Sequence, residues 1–161
     1  MEQFQLLRDK AKNRLKIADH ILTTTYPLLK DTKLLIIIME NLFLAISYSM
    51  TALLHYDRLF KRIPPFHDSF ESKFAMFKDR CVHRYNIDKK NLILLQEIKK
   101  MMAEHKKSPM EFIRKDKFVI CSDKYRIQTI SIPQLKDYMN QAKSFVITIT
   151  NITSKNDALF N

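Results

Sequence analysis

Glycine is absent from all 161 residues. Only glycine enters positive-φ turns without steric cost, and only glycine lets a phosphate come close to the backbone in a tight loop. The chain therefore holds no P-loop, no dinucleotide fingerprint and no nucleophile elbow, since each of those motifs is written with glycines. Tight hairpins also draw on glycine, which argues against an all-β fold. Long helices joined by short connections agree with the omission. A biased genome composition also removes glycine, so the absence excludes motifs more firmly than it establishes a fold.

Hydrophobic spacing supplies the rest of the fold argument. Phe4, Leu7, Ala11, Leu15, Ala18 and Leu22 recur at three-to-four spacing and predict a first helix over about residues 2–25, which Pro27 closes or links onward. Asp31 or Thr32 is placed to cap a second helix running to about Lys61, where Pro64-Pro65 makes a stiff break. Its middle, Leu34 to Leu54, is nearly all apolar and long enough to cross a bilayer. Glu40 and Asn41 interrupt it, and an acid near mid-membrane costs about 2.5–3.5 kcal/mol. The other helices are amphipathic and need an apolar partner. We therefore expect a buried central helix and no membrane span.

The remaining segments follow from caps and stripes. Asp68-Ser69-Phe70-Glu71 reads as an acid cap opening a third helix with Phe70, Phe74, Phe77 and Cys81 on one face. Asp88 caps a fourth, to about Lys106, with Leu92, Leu95, Ile98 and Met102 inward. Ser108-Pro109-Met110-Glu111 predicts a short fifth helix to about Lys115. From Lys117 to Ile132 the residues turn β-prone, with Phe118–Cys121 and Tyr125–Ile130 flanking Ser122-Asp123-Lys124, which reads as a small hairpin near residues 117–131. A last helix starts near Ser131 with Pro133 in its first turn, and 154–161 reads as a frayed tail. The expected fold is mainly α: one domain over 1–161, a compact bundle of about five or six helices around a long apolar central helix.

Few residues are marked for chemistry. Cys81 and Cys121 form no CxxC pair and sit in apolar surroundings, as reduced buried thiols do. His67 with Glu71, and Asp79 with His83, have helical i, i+4 spacing, but capping and surface roles account for them, and no metal or cofactor is expected. Glu40 is the acid of the apolar run: buried alone it takes up a proton, and the simpler expectation is a hydrogen bond to a Tyr, Lys or Arg of a facing helix. No apolar leader opens the chain, so a cytoplasmic setting is expected.

The net charge of +11 is uneven. Nine Lys and Arg face four Asp and Glu between Lys89 and Lys117: Lys89, Lys90, Lys99, Lys100, Lys106, Lys107, Arg114, Lys115 and Lys117. A basic face of this kind attracts nucleic acid, anionic lipid or acidic protein, and phosphate contacts need cations without a set sequence. A solvated lysine-rich surface is the plainer account.

The order of helices, with a long central one and short connections over about Phe4 to Ile149, resembles the HEPN superfamily of helical bundles. The resemblance implies RNA-directed activity through an Arg followed, after four to six residues, by His. Arg62-Ile63-Pro64-Pro65-Phe66-His67 has that spacing, as has Arg14 to His20. Ile in place of a polar residue after Arg62, and two prolines within, depart from the pattern. Arg114-Lys115-Asp116 offers another start, with Cys121 where a His would stand. The resemblance thus implies the fold more than the catalysis. In that reading Arg62 stabilises phosphate charge and His67 activates or orients a ribose hydroxyl. Three functions are carried forward: a non-catalytic, self-associating interaction module (a homodimer), an RNA-binding protein or ribonuclease, and a peripheral membrane protein using its basic face.

Overall fold

The apolar stripe of the first segment winds into α1 (Gln3–His20). The computed structural model describes residues 1–107, 110–114, 117–121 and 127–160, and of those that fall within 107–128 only the backbone. Phe4, Leu7, Ala11, Ala18 and Leu22 are buried, and Leu15 is half-buried. Pro27 does not end the helix. Its ring lacks an N–H and collides with the carbonyl one turn back, and the chain answers by widening that turn. Residues Ile21–Thr25 form a π-type turn, and α2 (Tyr26–Leu29) continues beyond it. Lys30 stops the helix in the left-handed region at φ 50°.

The central helix is α3 (Lys33–Leu59), 27 residues long. The Asp31 carboxylate accepts from the Lys33 N–H at 3.0 Å, so Asp31 rather than Thr32 closes its start. Contacts from α1, from the last long helix α7 (Ile132–Ser154) and from two further helices bury Leu35, Ile38, Met39, Leu42, Ile46, Met50, Leu53 and Leu54 almost completely. Each such side chain contributes about 1.5–3 kcal/mol of transfer free energy. By length and composition α3 is the one described helix able to cross a membrane, and 61% of its apolar window is buried inside the bundle. Glu40 departs from expectation: it is exposed, three residues on from the exposed Ile37, and among the described residues it has no hydrogen bond or ion pair.

At its end α3 turns through Lys61 at φ 56°. The Lys61 N–H bonds the Arg58 carbonyl at 3.1 Å and the Arg62 N–H bonds the Asp57 carbonyl at 2.9 Å, the paired pattern of a Schellman stop. The third segment divides into α4 (Phe70–Met76), a π-type turn (Phe77–Cys81) and α5 (Val82–Arg84). Ser69 rather than Asp68 caps α4, its hydroxyl accepting from the Ser72 N–H at 3.1 Å. Asp68 instead pairs with Lys73 at 2.5 Å. A second Schellman stop follows at Asn86, φ 51°, with Ile87 N–H on the Val82 carbonyl at 2.9 Å and both side chains buried. In a chain without glycine, two lysines and an asparagine take the left-handed positions among the described residues.

Asp88 accepts from the Lys90 N–H at 3.0 Å and opens α6 (Lys90–Lys107). Leu92, Leu94, Leu95 and Ile98 are buried from it. The expected fifth helix is replaced by a strand. Antiparallel strands β1 (Met110–Arg114), β2 (Lys117–Cys121) and β3 (Ile127–Ser131) form one sheet in that order. Arg114 pairs with Lys117 and Met110 with Cys121, while Lys117 pairs with Ser131 and Cys121 with Ile127. Five residues centred on Phe112 are too few for a stable helix but enough for a ladder on a β-prone neighbour. The hairpin at 117–131 thus exists as two thirds of a meander, and it leans on the bundle, β2 against α6 and β3 against α7.

Ser131 caps α7 (Ile132–Ser154), accepting from the Gln134 N–H at 3.3 Å, with Pro133 in the first turn. Leu135, Tyr138, Ala142, Phe145 and Ile149 are buried as the stripe requires. Tyr138 ties α7 to α6 through Glu97 at 3.1 Å. The tail is not frayed as far as Phe160. Asp157 bonds Arg8 at 2.9 Å, Asn156 donates to the Tyr56 hydroxyl at 2.8 Å, and the Phe160 ring lies edge-on to Phe4 at 5.5 Å. Aromatic edge contacts and an inward ion pair supply what the sequence pattern of the tail lacked.

Candidate functional site

The last two turns of α3 carry His55, Asp57 and Arg58 to one end of the bundle, beside the start of α1 and the 60–69 connection. Asp57 continues the buried row of Met50 and Leu53 and has a fully buried side chain. Such a carboxylate persists only with partners. Arg84 donates to it at 2.9 Å and Arg62 at 3.5 Å. The Tyr85 hydroxyl also donates to it, in a short contact, and the Cys81 thiol lies at 3.5 Å. Arg62 further donates to the Tyr85 oxygen at 3.0 Å, and Arg84 to the Arg62 carbonyl at 3.3 Å. The Arg62 guanidinium stacks over Phe60 at 5.0 Å and Tyr56 at 5.8 Å. One acid thereby joins the stop of α3 to α5 through two arginines.

The electrostatics of this knot are those of a structural tie. Burial, helped by the Asp57 charge, pushes the Cys81 thiol up to about 12. Burial and the bond to Asp57 likewise raise Tyr85, against the opposing pull of Arg62. Burial works against the Arg62 charge, but Tyr85 and Asp57 outweigh it and hold the guanidinium more firmly protonated than usual. A thiol and a phenol so shifted are not nucleophiles near neutral pH.

The sequence-derived pair is placed apart in role. Arg62 is committed to Asp57 and Tyr85. His67 is exposed in the connection before α4, where its backbone N–H bonds the Ser72 hydroxyl at 3.2 Å. Among the described residues no hydrogen bond joins the two side chains, and no three His, Cys, Asp or Glu groups gather for a metal.

A different histidine faces open space. Two adjoining hollows, about 480 and 400 Å³, share Gln3, His55 and Arg58 as walls. The larger adds Phe66, Asp68 and Lys73, and the smaller adds Glu2 and Lys61. The His55 ring stands edge-on to Phe66 at 5.4 Å. Partial burial lowers its pKa, and Lys73 lowers it further against the opposite effect of Asp68. His55 is therefore a neutral imidazole near pH 7.

The lysine-rich stretch is more dispersed than its count suggests. Lys89, Lys90, Lys100 and Lys106 are exposed. Lys99 pairs with Glu71 at 2.7 Å and sits over the Phe70 ring at 3.9 Å. At about 100° per residue, Lys90 and Lys99 leave α6 on opposite sides. Lys115 and the side chains of Lys107, Arg114 and Lys117 lie outside the described residues, as does the Cys121 thiol. No family model matches this sequence, and comparison with curated proteins and with solved structures gives no match.

Proposed function

We propose that this chain is a helical interaction module without catalysis of its own, self-associating and of HEPN-like descent. The supporting observation is the engagement of Arg62. A cation that must meet a transferring phosphate is here bound to a buried carboxylate, a phenol and two aromatic faces, and His67 stands outside that network. Catalysis needs such groups prealigned on the reacting atoms. Exposed apolar side chains on several helices, Leu28, Leu29, Ile37 and Ile147 among them, support association with a partner.

The proposal is tested by solution mass together with RNA cleavage. A mass of twice the 19.2 kDa chain and no cleavage of single-stranded RNA are expected. A strict monomer overturns the self-association, and cleavage abolished by His67→Ala overturns the non-catalytic reading. In that second outcome the ribonuclease reading replaces it.

A further inference from the structure

The turn that joins α2 to α3 projects two neighbouring leucines into solvent. α2 is a single turn that buries Tyr26, and the apolar residues after Pro27 are left outside. Residues 27–31 are all exposed, with Leu28 and Leu29 showing 79% and 67% of their surfaces. Lys30 then ends the helix in the left-handed region, and buried Thr32 returns the chain to α3. Two adjacent leucines held in water forgo their transfer free energy unless a partner takes them up.

Cations flank the pair. Lys30 lies in the turn and Lys33 opens α3, while Lys136 of α7 shares a hollow of about 380 Å³ with Pro27. All three are exposed, and among the described residues none pairs with a carboxylate. Lys143, in the same hollow, is taken by Asp19 at 3.2 Å. Asp31 and Asp137 stand among the three lysines, which leaves one formal positive charge at the turn of a chain that carries +11. A folded protein is a poor match for so small a projection. A stable protein interface takes about 20–30 residues a side, and the turn offers five. A bilayer accepts a small projection, admits leucines at the boundary of headgroups and acyl chains and, when anionic, attracts the lysines beside them. We infer that the α2–α3 turn docks on an anionic lipid surface, with Leu28 and Leu29 inserted and Lys30, Lys33 and Lys136 on the headgroups. The contact is peripheral, and α3 stays in the bundle. It needs a single copy of the chain, so it goes beyond the self-association proposed above and stands without it. Ile37 and Ile147 are left to a second copy.

Co-sedimentation of the full chain with vesicles of phosphatidylcholine, alone or in equal parts with phosphatidylserine, tests it. Binding to the mixed vesicles and not to phosphatidylcholine alone is expected, weakening as salt rises. Leu28→Ser combined with Leu29→Ser is expected to weaken it by roughly tenfold or more. Lys30→Gln combined with Lys33→Gln is expected to weaken it about 25-fold, fivefold for each lysine. Ile93→Ser, at an exposed apolar residue of α6, is expected to change it by less than about twofold. The chain has no tryptophan, so Leu28→Trp adds a single reporter whose emission is expected to move to shorter wavelength on the mixed vesicles. Absence of binding overturns the docking, as does an emission that the vesicles leave unmoved. A double leucine variant, folded by circular dichroism, that binds like the parent also overturns it. If Lys90→Gln with Lys100→Gln then abolishes binding, the lipid belongs to α6. If the leucine variant instead lowers the solution mass, the two leucines belong to a second copy. Solution mass is read separately from vesicle binding, so either proposal can fail alone.

Discussion

Glu40 and Asp57 show how much a side chain's azimuth matters. Both are acids of the same apolar helix, yet one is open to solvent and the other fully buried between two arginines. Removing a buried charge strands its partners, whereas an exposed acid without partners contributes little. Asp57→Asn is expected to lower unfolding stability by about 3 kcal/mol, read from urea denaturation. Glu40→Gln is expected to stay within about 0.5 kcal/mol in the same measurement. The distinction was not legible in the sequence, where Ile37 reads as one more apolar residue. Asp57 falls at i+7 from Met50 and i+4 from Leu53, inside the buried row, while Glu40 falls at i+3 from exposed Ile37. Judged by the apolarity of its neighbours alone, Glu40 drew the attention that belonged to Asp57. The Arg62 to His67 spacing is silent on this too: separation along the chain does not say that the guanidinium meets Asp57 and Tyr85. His55, on the pocket wall, had no motif to mark it.

Helices and their ends were the most readable elements, because periodic stripes and capping residues are local. The stripes of α1 and α7 and the Asp88 and Ser131 caps stand where spacing placed them. What failed was non-local. Ser108-Pro109-Met110-Glu111 has the chemistry of a helix start, yet β2 offers residues 110–114 a ladder that no local rule sees. The left-handed stops at Lys30, Lys61 and Asn86 were also hidden, since absence of glycine seemed to forbid them. For a residue with a Cβ that conformation costs about 1–2 kcal/mol, part of which glycine returns as unfolded-chain entropy. Lys30→Gly is therefore expected to raise stability by about 0.5–1 kcal/mol, seen as a higher denaturation midpoint with an unchanged slope.

At the scale of the molecule, the tail closes the same end of the bundle at which α1 starts and α3 stops. Phe160 meets Phe4 and Phe60, and Asp157 and Asn156 fasten to Arg8 and Tyr56. Ending the chain after Ser154 is expected to cost about 2–3 kcal/mol and to speed hydrogen exchange in the first turns of α1, while those of α6 keep their protection. The same fastening fixes an order of events during synthesis. A ribosome releases Phe4, Tyr56 and Phe60 long before it reaches residue 160, so the nascent polypeptide carries an uncovered aromatic cluster through most of its translation. Chaperone holding or aggregation in that interval depends on how fast the codons up to residue 160 are read.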